Sequence, residues 1–125
     1  MALALALTLS CNSTDSASDV TAPRSPYAGA WAGFDVRDPE GNSTGLGSFT
    51  VSGRGDFVFG TTTLVAGVFG DSGAVSGIIS RTSPDTCSYT FVGQASSLSA
   101  ASGSVSRFGD SDPAVCNWRS FATTR

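Results

Sequence analysis

An all-β fold, a small antiparallel up-and-down β-barrel of about eight strands, is what this 125-residue chain predicts, and three observations carry the prediction. Gly, Ser and Thr supply 15, 21 and 13 residues, while strong helix formers other than Ala are scarce. Apolar and aromatic residues recur in short segments divided by Gly, Asp, Asn and Pro, the residues that turns require. From Tyr27 onward there are about eight such segments at roughly twelve residues per strand and turn, a spacing that suits hairpins and leaves no space for crossover helices. A two-sheet β-sandwich is the alternative architecture. Closure is favoured because it removes exposed edges.

The segments run Tyr27 to Arg37, Leu46 to Ser52, Asp56 to Thr61, Thr63 to Phe69, Ala74 to Arg81, Thr86 to Gln94, Leu98 to Phe108 and Ala114 to Thr123. Between them lie turn-type stretches such as Asp38-Pro39-Glu40-Gly41-Asn42, Gly70-Asp71-Ser72-Gly73 and Gly109-Asp110-Ser111-Asp112-Pro113. Alternation assigns the faces. Cys87, Tyr89 and Phe91 share one side of their strand, as do Phe57 with Phe59, and Val75, Gly77 and Ile79. In the first strand, alternation places Trp31 with Gly29 and Gly33, and puts Ala30, Ala32, Phe34 and Val36 on the other side. Small residues beside a large ring fit a tightly curved strand or a narrow barrel floor.

The charge inventory excludes more than it identifies. There is no Lys and no His, the seven Arg stand at 24, 37, 54, 81, 107, 119 and 125, and the net charge is −3. Without a concentrated basic face, nucleic acid is not an expected partner. The commonest general base, the commonest zinc ligand and Schiff-base chemistry are all missing, so no enzyme activity, metal or cofactor is expected. A carboxylate-based hydrolase is the one catalytic alternative, through Asp35, Asp38, Glu40, Asp56 and Asp71 near strand ends.

Residues 1 to 10 are apolar and uncharged, and polar Asn12-Ser13-Thr14-Asp15-Ser16 follow Cys11. Ten residues are too few to span a bilayer but match the core of a secretory signal. Ser10 directly before Cys11 resembles the lipobox of bacterial lipoprotein signal peptides, which implies lipidation of Cys11 and a membrane-anchored location in the bacterial cell envelope. Thr8 stands where that box carries Leu, and no Lys or Arg precedes the apolar run, so the true start is expected upstream of Met1. Residues 11 to 26, with Val20 their only large aliphatic residue, read as a solvated tether to a barrel domain spanning 27 to 125.

With Cys11 assigned to lipid, Cys87 and Cys116 remain as an even pair for one disulfide in an oxidising compartment. In a meander their strands are parallel, with one strand between them and axes about 9.6 Å apart, beyond disulfide reach in mid-sheet. Both Cys sit where their strands begin, so the bridge is expected at the rim, pinning the Gly109 to Pro113 turn.

Several motifs are ordinary turn chemistry. Gly70-Asp71-Ser72-Gly73 copies the nucleophile tetrapeptide of chymotrypsin-like proteases, but that Ser needs a His base and the chain has none. Asp110 and Asp112 supply too few oxygens to expect calcium. Arg54-Gly55-Asp56 is the integrin-binding tripeptide, built from common hairpin residues, and Asn12-Ser13-Thr14 and Asn42-Ser43-Thr44 fit the glycosylation sequon.

The opening Tyr27-Ala28-Gly29-Ala30-Trp31-Ala32-Gly33, the Gly-spaced Val65-Ala66-Gly67-Val68-Phe69 and Val75-Ser76-Gly77-Ile78-Ile79, and the late Cys116-Asn117-Trp118-Arg119 resemble small exported bacterial lipoproteins with a lipocalin- or avidin-like, calycin-type barrel. That resemblance implies small-molecule binding in the barrel mouth and a Trp31 near the barrel floor. The functional expectation is a lipid-anchored, non-catalytic binding or interaction module. A carrier would line its interior with Trp31, Phe57, Tyr89, Phe91 and Trp118, place Arg119 at the rim, and hold a small apolar ligand. The competing expectation is a structural surface lipoprotein with a solid barrel and no ligand, its partner an envelope protein.

Overall fold

The computed structural model describes residues 24 to 109 and 111 to 125. The signal-like stretch, Cys11, most of the expected tether and Asp110 lie outside the described residues. The described chain forms eight strands: β1 (Gly29–Arg37), β2 (Ser43–Val51), β3 (Asp56–Phe59), β4 (Thr63–Phe69), β5 (Ala74–Arg81), β6 (Cys87–Ser97), β7 (Ala100–Arg107) and β8 (Ser120–Thr124). All belong to one sheet with the order β2-β1-β8-β7-β6-β5-β4-β3, and every pairing is antiparallel. The result is a nearly closed barrel with no helix among the described residues, not a two-sheet sandwich.

Closure follows an indirect route. The first and last strands pair, β1 with β8, so the sheet's two free edges are β2 and β3, which are consecutive in sequence. A tight turn joins them: Gly55 N–H donates to the Ser52 carbonyl at 3.0 Å and Ser52 N–H to the Asp56 carbonyl at 2.8 Å. Inside the seam the Phe49 ring packs on Phe57 and Phe59, with centroids 4.8 and 5.0 Å apart. Side-chain contact closes the cylinder where the ladder does not.

Two strands depart from simple alternation. In β1 a register shift between Trp31 and Phe34 turns both large rings inward, so both are buried, whereas unbroken alternation puts them on opposite faces. The last strand begins at Ser120 and not near Ala114. Asp112 accepts the Ala114 N–H through its carboxylate and the Val115 and Cys116 N–H groups through its carbonyl, and Pro113 offers no N–H, so this stretch winds into a turn.

Glycines facing inward make the interior possible. Gly67 pairs with Gly77 across β4 and β5, and Gly93 with Gly103 across β6 and β7. Phe57, Phe91 and Phe121 stand on the adjoining strands opposite Gly67, Gly77 and Gly103. A Cβ on Gly67 would sit 2.7 Å from the Phe57 ring tip, and one on Gly93 would sit 2.8 Å from that of Phe121. The rings occupy the volume that side chains would otherwise fill. Phe34 is central to this packing, stacked on Phe121 at 5.3 Å and edge-on to Phe91 at 5.4 Å. From there contact runs through Phe49 to Trp31, Phe69 and Tyr27.

Gly77→Ala is expected to destabilise by about 1–3 kcal/mol or more, because the new methyl would meet the Ala66 carbonyl oxygen and lie 2.6 Å from the Phe91 ring. Gly33→Ala, which meets nothing within 4 Å, should change stability by less than about 0.5 kcal/mol. Urea denaturation midpoints of the two variants measure the contrast. Equal losses would contradict the packing argument.

Candidate functional site

The residues expected to line a ligand space divide into two groups. Trp31, Phe57 and Phe91 lie in the buried aromatic core: Trp31 stacks on Phe69 at 5.0 Å, Phe69 lies 5.7 Å from Phe57, and Phe57 lies 6.4 Å from Phe91. These interior positions are in ring-to-ring contact. Tyr89, Trp118 and Arg119 come together elsewhere, at the rim where β5 and β7 end and β6 and β8 begin.

That rim is built as a clamp. The disulfide joins Cys87, the first residue of β6, to Cys116 in the segment before β8, with the two Cα atoms 5.5 Å apart. It is the rim bridge expected from the strand geometry. Trp118 stacks on Tyr89 at 5.1 Å, and the Arg81 guanidinium lies over the Trp118 ring at 5.0 Å. The same guanidinium reaches the Val115 carbonyl at 3.5 Å and sits 4.0 Å from the exposed Asp85 carboxylate. Ser111 completes the attachment by accepting the Ser88 N–H at 2.8 Å.

Outside this clamp runs a groove of about 380 Å³ between the end of β7 and the segment before β8. Its exposed lining is mainly polar: Arg107 and Arg119 give it charge, Ser106 and Asn117 add polar groups, Pro113 stands at its side, and Val105, Cys116 and Trp118 lie buried behind it. The register brings the two arginines to the same end of adjoining segments. Ser104 pairs with Ser120, and Val105 N–H donates to the Arg119 carbonyl at 2.9 Å, with Arg107 two residues further on. Arg107 was not among the residues expected at a site. Eleven residues of sequence, including a turn, separate it from Arg119, and only the strand pairing brings them together.

One atom at this rim is out of balance. The Tyr89 hydroxyl is buried, faces the Trp118 backbone and makes no hydrogen bond of good geometry. Burial pushes its pKa above the ordinary 10.0, outweighing that backbone proximity and the charges of Arg81 and Arg107, which pull the other way.

The carboxylates of the hydrolase alternative are spread out. Asp38 and Glu40 belong to the β1–β2 turn at this end of the barrel, while Asp56 and Asp71 lie at the opposite end. Asp35 is exposed on β1, where a Cβ on Gly45 would lie 3.2 Å from its carboxylate oxygen. Asp38 accepts both the backbone N–H and the side-chain amide of Asn42. Slight desolvation raises its pKa, but these bonds and the Glu40 and Gly41 N–H groups outweigh it and hold the carboxyl below its usual range. Gly70 to Gly73 form the β4–β5 turn, closed by the Gly70 N–H donating to Ala74 at 2.7 Å. Among the described residues no three His, Cys, Asp or Glu side chains converge as a metal site would require.

The architecture is a nearly closed, eight-stranded antiparallel β-barrel, compatible with a calycin-like fold. No protein-family model, curated protein or solved structure matches the chain.

Two outcomes follow from the clamp. Replacing Cys87 and Cys116 together by Ala should lower stability by about 3.5 kcal/mol, the chain-entropy value for a loop of this length, as read by urea denaturation. Tyr89→Phe removes an unmet buried hydroxyl and should leave stability unchanged or raise it by about 1 kcal/mol. Because the folded-state pKa of Tyr89 is raised, its contribution to stability is complete below pH 10 and is lost as pH rises through the folded value. Alkaline denaturation curves should therefore fall less steeply for Tyr89→Phe than for the parent chain.

Proposed function

We propose that this chain is an exported, non-catalytic binding module, anchored to the bacterial cell envelope by lipid on Cys11, with a self-filled barrel as scaffold and the disulfide-rim groove as its binding surface. The observation that carries this reading is the combination at one rim: an arginine-lined groove held rigid by a disulfide, outside a barrel whose interior positions are taken by the chain's own rings. A stable disulfide suits an oxidising compartment, and its two cysteines leave Cys11 unpaired for an anchor. A ligand held by surface residues replaces the interior apolar ligand of the carrier reading. The same packing also favours a second reading, a structural surface lipoprotein without ligand, because a cylinder filled by rings needs no occupant.

Expression of the full chain in a lipoprotein-processing bacterial host tests the anchor and the export together. Intact-mass analysis should find Cys11 as a lipid-modified N-terminus, and Cys11→Ser should move the protein out of the membrane fraction. A native protein that retains an unmodified Met1 and two reduced barrel thiols would overturn the reading.

A further inference from the structure

The geometry points to the disulfide-rim groove as a site for a small organic anion, a carboxylate or a phosphate ester, held by the guanidinium groups of Arg107 and Arg119. This assignment rests on the reading of the chain as a binding module and gives that module a ligand class.

Charge is the first argument. The chain as a whole carries −3, yet the groove lining includes two arginines and no carboxylate. Among the described residues neither guanidinium has an ion-pair partner. Of the acids in the following turn, Asp110 lies outside the described residues and Asp112 accepts the Ala114 N–H at 2.9 Å. Guanidinium forks bind planar oxyanions through paired hydrogen bonds, and two forks on adjoining segments can hold one from both sides.

Shape is the second argument. Val105, Cys116 and Trp118 form a buried back wall, the exposed lining is mainly polar, and about 380 Å³ accommodates a compact molecule at the small end of ligand pockets. The wall is stiff, because the disulfide fixes Cys116 and the Tyr89–Trp118–Arg81 stack fixes Trp118. A preformed site loses little freedom on binding.

The test is a two-dimensional ¹H–¹⁵N NMR titration of the oxidised full chain with benzoate, phenyl phosphate and neutral benzamide. Either anion should produce saturable shifts at Arg107, Asn117, Trp118 and Arg119, and benzamide should not. A stronger response to benzoate or to phenyl phosphate decides between carboxylate and phosphate ligands. The double variant Arg107→Gln with Arg119→Gln should weaken anion binding about tenfold or more. Benzamide binding as strongly as benzoate, saturable shifts at another surface, or no saturation with either anion would overturn the assignment. The comparison of charged and neutral probes on the unaltered chain needs no variant to fold. Cys11 processing is measured independently of any probe, so loss of the ligand class and loss of the exported-module reading are separately visible.

Discussion

The packing of phenylalanine rings over inward-facing glycines is the constraint on which the rest of this structure depends. An eight-stranded barrel is just wide enough for side chains to fill, and filling it with aromatics demands that some inward positions carry no side chain at all. Gly67 and Gly77, and Gly93 and Gly103, supply those positions as two cross-strand pairs. The ring of a neighbouring strand lies over each pair, which replaces the missing side-chain contacts and shields the backbone. Ring on glycine and ring on ring therefore form one packing unit, continuous from Tyr27 to Phe121. That unit also closes the seam between β2 and β3, where Phe49 reaches across to Phe57 and Phe59.

With the interior occupied by rings, charge lies mainly at the rims and turns. Within strands β4, β5, β6 and β7 the only charged residues are Arg81 and Arg107, each the last of its strand, and Arg37 likewise ends β1. The barrel wall between the rims is kept in water by Ser and Thr, with aliphatics such as Val58, Ile78 and Val92 exposed among them. Arginine at a strand end can extend past the ladder without disturbing it and can lay its stem on the last inward ring. Arg81 does so over Trp118, and Arg125 does so over Trp31 at the opposite rim. The absence of Lys thus has a structural counterpart: the planar guanidinium stacks on an indole more effectively than an ammonium does.

Much of this was legible in the chain. The ranges of β4 and β5 coincide with the segments read from alternation and turn residues, because Val65, Val75 and Ile79 face inward without interruption. The inward set Cys87, Tyr89 and Phe91 was equally plain, and so was a disulfide at the rim. What alternation could not supply is the shift inside β1, since a bulge is set by how Gly47 and Gly45 of β2 meet Phe34 and Asp35 and not by the local sequence. The eighth strand was read too long because Val115, Cys116 and Trp118 resemble a strand until Asp112 is seen to capture three backbone N–H groups. Half of the candidate site was visible as Trp118 and Arg119. The other half, Arg107, belongs to it only through the β7–β8 register.

The clamp around Trp118 explains how a short last strand suffices. β8 has five residues and is the only link between β1 and β7, so the cylinder's circumference runs through it. The long segment that precedes it would otherwise add its own freedom to that weakest joint. Cys116, Trp118 and the Arg119 backbone tie this segment to β6, to Tyr89 and to the Arg37 and Val105 backbones, all within four residues of the strand's start. Closure of the barrel and rigidity of the groove are therefore the same set of contacts. A ligand in the groove would press on the joint that holds the cylinder shut, so binding there and stability of the whole fold are thermodynamically linked.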